Sequence, residues 1–502
     1  MATSREDRRR TLRHQVEAIL DRGHGPLREV ILQAAPPPGA EGALHRRAAE
    51  SLRLRALAAS PRDLLPIAPP VAIPVREPAR ALQPALAGPR PDRLPDPARP
   101  PLPALRAARL AALGPVLRSD LVRHAAGKPR AFWAADALLL RLAEADLMAL
   151  PRDDLADRLE GVFPNRRLPL PPHVAARPAP GGDDDGIGAW GLRAVGALGA
   201  WGAFGARGKG VRIGLLDTGV DPDHPDLRGK IAAWAEFDAE GAPVPGSRPH
   251  DSDRHGTHCA GIMVGGDAGG GWIGVAPEAE IAAALVLDGA RGGTDAQVLA
   301  GIDWALDQGV DVLNLSLGGP TWGPETPSTY TSALLAALRL GVPVVTAIGN
   351  EGHQTTGSPG NDYLAFAVGA FGRDGRPAGF SGGRTQVIRA SPHLPPEMLP
   401  LAYSKPDLSA PGVAVRSAVP GGGWERLNGT SMAAPHVAGA VALLLSATGI
   451  RDRVEPAERA FLLQDLLTGS AEEGGEAGQD HRFGFGRLDV LRAIGAARGL
   501  GL

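Results

Sequence analysis

From residue 211 onward the chain alternates short, wholly apolar runs with stretches of helical periodicity. No other feature narrows the possible folds as much. The runs are 211–216, 280–287, 310–315 and 342–348, and the helical stretches are 258–264, 295–308 and 330–340. A strand that is apolar at every position has no face to offer water. It therefore belongs in a parallel sheet covered by helices on both sides. The chain from about residue 187 is expected to be α/β, with function gathered at the carboxyl ends of the strands.

Four strand ends or helix starts in this half carry polar residues foreign to a core. They are Asp217-Thr218-Gly219, His255-Gly256-Thr257-His258, Gly349-Asn350-Glu351-Gly352 and Gly429-Thr430-Ser431. The last leads into an apolar helix expected at 437–445, and Pro435 fits only if that helix has just begun, since proline is tolerated in a first turn and disruptive later. A serine at such a junction meets backbone N–H groups without partners and the positive end of the helix dipole. A hydroxyl nucleophile needs a base, and the base needs a third group that fixes its tautomer. Donors must also face the oxyanion that develops. Ser431, His255 and Asp217 can fill the first three roles. The Asn350 amide and the Ser431 backbone N–H can supply the donors.

Written out, the motifs are Leu216-Asp217-Thr218-Gly219-Val220, His255-Gly256-Thr257-His258-Cys259-Ala260-Gly261, Ala347-Ile348-Gly349-Asn350-Glu351-Gly352 and Gly429-Thr430-Ser431-Met432-Ala433-Ala434-Pro435-His436. In these residues the chain resembles the subtilisin-like serine protease family, the subtilases, over roughly residues 190–491. The resemblance includes the closing Gly484-Phe485-Gly486-Arg487-Leu488-Asp489. It implies a subtilisin-like three-layer α/β fold with a mostly parallel sheet, and hydrolysis of protein or peptide substrates. By resemblance Asp217, His255 and Ser431 are catalytic, Asn350 completes the oxyanion hole, and no cofactor takes part in catalysis. Ser316, Leu317 and Gly318 match the segment that pairs with substrate backbone. Gly357, in Gly357-Ser358-Pro359-Gly360, matches the opposite wall of the primary pocket and leaves its base open. Residues 384–403 look like an insertion able to overhang the site. His258 and His436 are expected to be hydrogen-bonded structural residues, and Cys259 a buried inert thiol behind His255. In relatives the aspartate of a His-Pro-Asp-Leu stretch helps to hold structural calcium. Asp226 stands in that position, with Asp267 in the following loop 265–272. Calcium requires six or more oxygens.

The first half reads differently. A helix at 4–22, a strand at 28–33, a helix at 41–59 and a second helix at 104–126 are expected. They are followed by a strand at 130–142 (or two joined at a bend), a helix at 144–150 and a strand at 159–163. That order suggests an antiparallel α+β unit. Fourteen prolines between Pro61 and Pro103 exclude a regular element there and indicate an extended excursion. Residues 1–175 form this first region, 176–189 a polar linker and candidate processing site, and 190–502 the second domain. Residues 132–167 resemble the ferredoxin-like prodomain of subtilases, with 168–172 as its tail. The implied history is an inhibited precursor that processes itself. The alternative is a permanent module, residues 1–175, that binds a protein partner or senses a signal.

Net charge is −2, so nothing global attracts nucleic acid. The arginines of the first helix are interspersed with acids and lack aromatics, as on a solvated face. The apolar runs 137–140 and 437–445 are too short to cross a membrane. The one cysteine excludes an internal disulfide. No apolar segment follows the first basic residues, so the expected compartment is the cytoplasm, with leaderless export as the alternative.

Overall fold

Seven strands, all in parallel pairs, form the central sheet. In spatial order they are Leu408–Pro411, Phe366–Phe371, Val344–Ala347, Val312–Leu315, Arg212–Asp217, Glu280–Leu285 and Ile231–Glu236. The computed structural model describes residues 5–22, 26–35, 42–57, 102–170, 174–175, 187–323, 329–391 and 394–502. Alternate residues of the strands feed two cores. Ile213, Leu215 and Val312 pack with the helices His255–Val264 and Thr430–Ala447. Leu216, Leu313 and Leu315 pack with Asp295–Asp307 and Thr331–Arg339 on the other face. The period of two thus explains why these strands are apolar throughout. Thr430–Ala447 is long and apolar enough to cross a membrane by length and composition, and 89% of it is buried as the core helix.

The N-terminal region is a four-stranded antiparallel sheet whose order is Ala126–Phe132, Ala137–Ala143, Leu27–Ala34 and Leu159–Pro164. One face, with Val30, Leu32, Leu138, Leu140 and Leu142, packs on Leu12, Val16 and Ile19 of the helix Arg5–Arg22. The other face, with Ile31, Leu139 and Phe163, joins the core of the larger domain. A two-sided sheet is thus shared between the halves. The Asp303 carboxylate, from the helix Asp295–Asp307, adds a polar latch. It accepts the backbone N–H of Trp133 at 2.8 Å and of Ala134 at 2.9 Å, in the turn of the first hairpin. Arg106 pairs with Asp307 beside it at 2.8 Å.

One expected element differs, and at 130–142 the two-strand reading holds. The helix expected at 104–126 is three short helices, Leu102–Ala112, Gly114–Leu117 and Asp120–His124. Pro115 opens the second, and the Ser119 side chain caps the third by accepting from Val122 N–H. The strand expected at 130–142 is a hairpin turned at Asp136, whose φ is 50°. Its carboxylate is held by buried Arg109 at 2.6 Å. Residues 58–101, which hold nearly all of the proline-rich excursion, and 176–186 of the linker lie outside the described residues, as do Pro171 and Pro172.

Candidate active site

Asp217 ends the strand Arg212–Asp217, and His255 begins the helix next to it. Two glycines let the connecting loop and the helix close on each other. Gly219 has φ 110°, and a Cβ there would lie 2.0 Å from the His250 carbonyl. A Cβ on Gly256 would lie 2.0 Å from the Gly219 carbonyl. Only glycine fits either position. The loop before the helix satisfies its first amides. Asp251 accepts Thr257 N–H at 2.7 Å, Asp253 accepts His255 N–H at 3.2 Å, and Thr218 Oγ1 accepts Gly256 N–H at 2.9 Å. So held, His255 Nδ1 lies 2.7 Å from Asp217 Oδ1, with both side chains fully buried. A proton on Nδ1 donated to Asp217 leaves Nε2 as the basic nitrogen. Burial pushes the imidazolium down, but the Asp217 carboxylate outweighs it and holds His255 well above its usual range.

The helix expected at 437–445 begins seven residues earlier, at Thr430, so Pro435 lies in its second turn. Proline has no N–H to give the carbonyl four residues back, which is that of Ser431. Two side chains from outside the helix take its place. Ser316 Oγ donates to the Ser431 carbonyl at 2.9 Å, and the Cys259 thiol does so at 3.4 Å. The Ser431 hydroxyl in turn donates to the Ser316 carbonyl at 3.2 Å. The cost of the proline is thereby offset, and Ser431 is tied to the strand end at Ser316. Cys259 lies 3.9 Å from His255 Nδ1, between the two helices, and burial pushes its thiol up to about 11. At that value it stays a neutral thiol.

Asn350 Oδ1 accepts Thr430 N–H at 2.8 Å and Thr430 Oγ1 at 3.0 Å. This fixes the carboxamide with its N–H₂ end turned away from Thr430. Asn350 and Ser431 share a pocket with Leu317, Gly318, Pro320, Ala347, Gly349, Glu351, Gly357 and Thr430. Pro169 of the N-terminal region lines it too, and only about 30 Å³ is left open. Two short stretches, 167–168 and 174–175, pair with the larger domain on either side of this pocket. Arg167–Leu168 pairs antiparallel with Gly293 and Thr294, and Val174–Ala175 pairs antiparallel with Leu427 and Asn428. The insertion forms the hairpin Arg384–Ile388 and Leu401–Lys405. It packs behind the pocket wall, with Gln386 Nε2 donating to Thr356 Oγ1 at 3.1 Å.

His258 and His436 stand as structural residues. His258 Nε2 faces the carbonyls of Val415 and Glu425, and His436 Nδ1 faces that of Met432 at 2.8 Å. Burial pushes His436 down to about 4. The expected calcium ligands do not fit an ion. Both Asp226 oxygens are taken by N–H donors, one by Ala268 N–H and the other by Trp424 Nε1–H, each at 2.7 Å. Asp267 is exposed. The Lys230 ammonium, pushed down to about 8 by burial, binds the nearby carbonyls of Val264 and Pro277. Among the described residues the groups His, Cys, Asp and Glu converge at one place, Asp217, His255 and Cys259.

Sequence reasoning missed Asp251 and Asp253, although an acidic run before a helix is a capping signal. It gave Glu351 on the pocket rim no role, and it missed the Gly292-Gly293-Thr294 edge. There the signal was two glycines followed by an N-cap threonine.

The fold and site define an α/β protein with a buried acid–histidine pair at the start of one helix and a serine at the start of the helix packed against it. The sequence model of the subtilase family matches residues 208–486, and the chain belongs to that family. It is 36% identical to subtilisin E of Bacillus subtilis (strain 168) over 258 residues, which are 49% of this chain and 60% of that protein. It is also 36% identical to an intracellular serine protease of Paenibacillus polymyxa over 271 residues, 52% of this chain and 75% of the relative. The major intracellular serine protease of Bacillus subtilis (strain 168) is 36% identical over 247 residues, 48% and 70% of the two chains.

Proposed function

We propose that this chain is a serine endopeptidase made as an inhibited precursor. Ser431 Oγ attacks the peptide carbonyl while His255 Nε2 takes its proton and later passes it to the leaving amine. Asp217 holds the imidazole in the required tautomer. The Asn350 amide and the Ser431 N–H receive the oxyanion. The acyl-serine then yields to water by the same route. These roles and the Asp-His-Ser order come from the family.

The observation that carries the precursor reading is the pairing of residues 167–168 and 174–175. They add a strand on both sides of the Ser431 pocket, as a bound peptide does. We take the first cut to fall between Leu170 and Val174, ahead of the processing site expected at 176–189, because Pro169 lines the Ser431 pocket and the pairings of 167–168 and 174–175 flank it. Two relatives are named as intracellular proteases, which supports a site of action inside the cell.

The test is to express wild type and Ser431→Ala and to map new termini by mass spectrometry. Wild type should yield a cut between residues 170 and 174, and Ser431→Ala should remain whole. A wild type that digests casein yet stays full length would rule out the precursor reading. Casein left intact under all conditions would rule out the peptidase.

A further inference from the structure

The segment in the cleft carries an arginine that is bound far more specifically than pairing of strands requires. Arg166 Nε lies 2.8 Å from Asp295 Oδ2, and its Nη2 lies 3.1 Å from Oδ1. The same carboxylate accepts the Arg166 backbone N–H at 3.2 Å, and the Asp295 N–H donates to the Arg166 carbonyl at 3.1 Å. Arg166 Nη2 also reaches Ser358 Oγ at 3.4 Å. Asp295 is fully buried and takes a further bond, at 2.6 Å, from Tyr330 O–H. Two residues on, Leu168 is 1% exposed in an apolar pocket and paired with Gly293.

The receptor belongs wholly to the larger domain. Asp295 is the first residue of one helix, Tyr330 immediately precedes another, and Ser358 lies on the strand behind the primary pocket. Burial holds the Tyr330 phenol well above its usual range, so it stays a donor to the carboxylate. When residues 166–168 leave, the carboxylate keeps Tyr330 and loses the guanidinium. A buried charge stripped of its partner is strongly unfavourable, and another arginine restores the pair. The planar fork of arginine matches the two oxygens, whereas the ammonium of lysine engages as a point charge.

We propose that Asp295, with Tyr330 and Ser358, is an arginine-selecting subsite for substrates. Preferred substrates carry arginine two residues before a buried apolar side chain, with the cut bond a few residues further on. The inference rests on the peptidase reading and names its substrate class.

The test has two arms. In the first, the full wild-type chain, left to process, is given quenched peptides that differ only in arginine, lysine or alanine at that position. The arginine peptide should exceed the alanine peptide at least tenfold in kcat/KM, with lysine between. Asp295→Asn, nearly the same shape, should bring the arginine-to-alanine ratio within twofold. A ratio cancels any loss common to both peptides. In the second arm, Ser431→Ala and Ser431→Ala/Asp295→Asn are compared for tryptic cutting after Arg166 and Arg167. The double variant should be cut at least tenfold faster. Equal turnover of arginine and alanine peptides by an enzyme that digests casein overturns the subsite and leaves the peptidase standing. If casein and every peptide stay intact, the peptidase reading fails, and with it a substrate subsite. Unchanged tryptic cutting overturns Asp295 as the arginine receptor in either case.

Discussion

Asp303 offers a direct way to ask what holds the N-terminal region over the cleft. Its carboxylate accepts two backbone N–H groups from a buried hairpin turn, and Trp133 and Ala134 are 3% and 0% exposed. Asp303→Ala leaves both donors without a protein acceptor. An unsatisfied buried N–H costs about 1–3 kcal/mol, so the turn loses about 2–6 kcal/mol against opening. Asp303→Asn has one amide oxygen for two donors and should lose about half of that. At 1.4 kcal/mol per tenfold, opening should rise at least ~25-fold for alanine and roughly 5-fold or more for asparagine. Hydrogen exchange on Ser431→Ala, which stays whole on the proposed reading, measures this in peptides covering 126–143. Burial also pushes Asp303 up to about 8, against the two N–H bonds and beside Asp307 and Arg106. The docked carboxyl therefore takes up a proton that an undocked one, at about 4, would not hold. Docking is strongest below the undocked value and weakens as pH rises through that window to about 8. Asp303→Asn has no proton to take up and should show no such slope once intrinsic exchange is divided out. Unchanged protection of 126–143 in Asp303→Ala would refute the latch, and a slope that persists in Asp303→Asn would refute its pH dependence.

Three further outcomes are expected. Ser316→Ala should cost about 1–3 kcal/mol of stability in urea unfolding, because the Ser431 carbonyl loses its hydroxyl donor. Adding Pro435→Ala restores an N–H four residues on, so the double variant should lose less than Ser316→Ala alone; simple additivity would contradict the coupling. Because His255 acts as a base only when neutral and is held above its usual 6.5, kcat/KM should rise with pH along a limb centred above 6.5. A profile flat across that range would remove His255 from the base role. EDTA should leave the thermal midpoint unchanged, since N–H donors occupy both Asp226 oxygens. A fall of several degrees, reversed by calcium, would place an ion in that loop.

What was legible in the sequence is what short spacing controls. The sheet could be read because strands buried on both faces are apolar at every position, and 211–216 and 280–287 fall on observed strands within two residues. Asp217, His255, Asn350 and Ser431 could be found because each stands in a compact motif whose glycines answer a local close approach. The Ser431 helix was started too late because Pro435 argues for a first turn. What tolerates it is Ser316, 115 residues away. Asp303 reads as an ordinary helix residue until a hairpin 169 residues earlier is placed on it. Asp226 reads as a calcium ligand until Trp424, 198 residues on, is seen to occupy one of its oxygens. In each case the partner that sets the residue's surroundings lies far away in the chain.

The cleft segment joins these strands of argument. Proline stands at 169, 171 and 172, so three of the four residues 169–172 have no backbone N–H to donate. With few donors in its middle, the segment is held at its flanks, by Leu168, by the Arg166–Asp295 pair and by the pairing of Val174 and Ala175. A peptide held by its ends and poorly held at its middle binds well and reacts slowly, because catalysis responds to interactions at the reacting carbonyl in the transition state rather than to affinity elsewhere. On the proposed reading this is how one segment serves first as inhibitor and then as substrate. It also explains why the arginine receptor is built into the larger domain: the groups that restrain the precursor remain, after the cut, to select what replaces it.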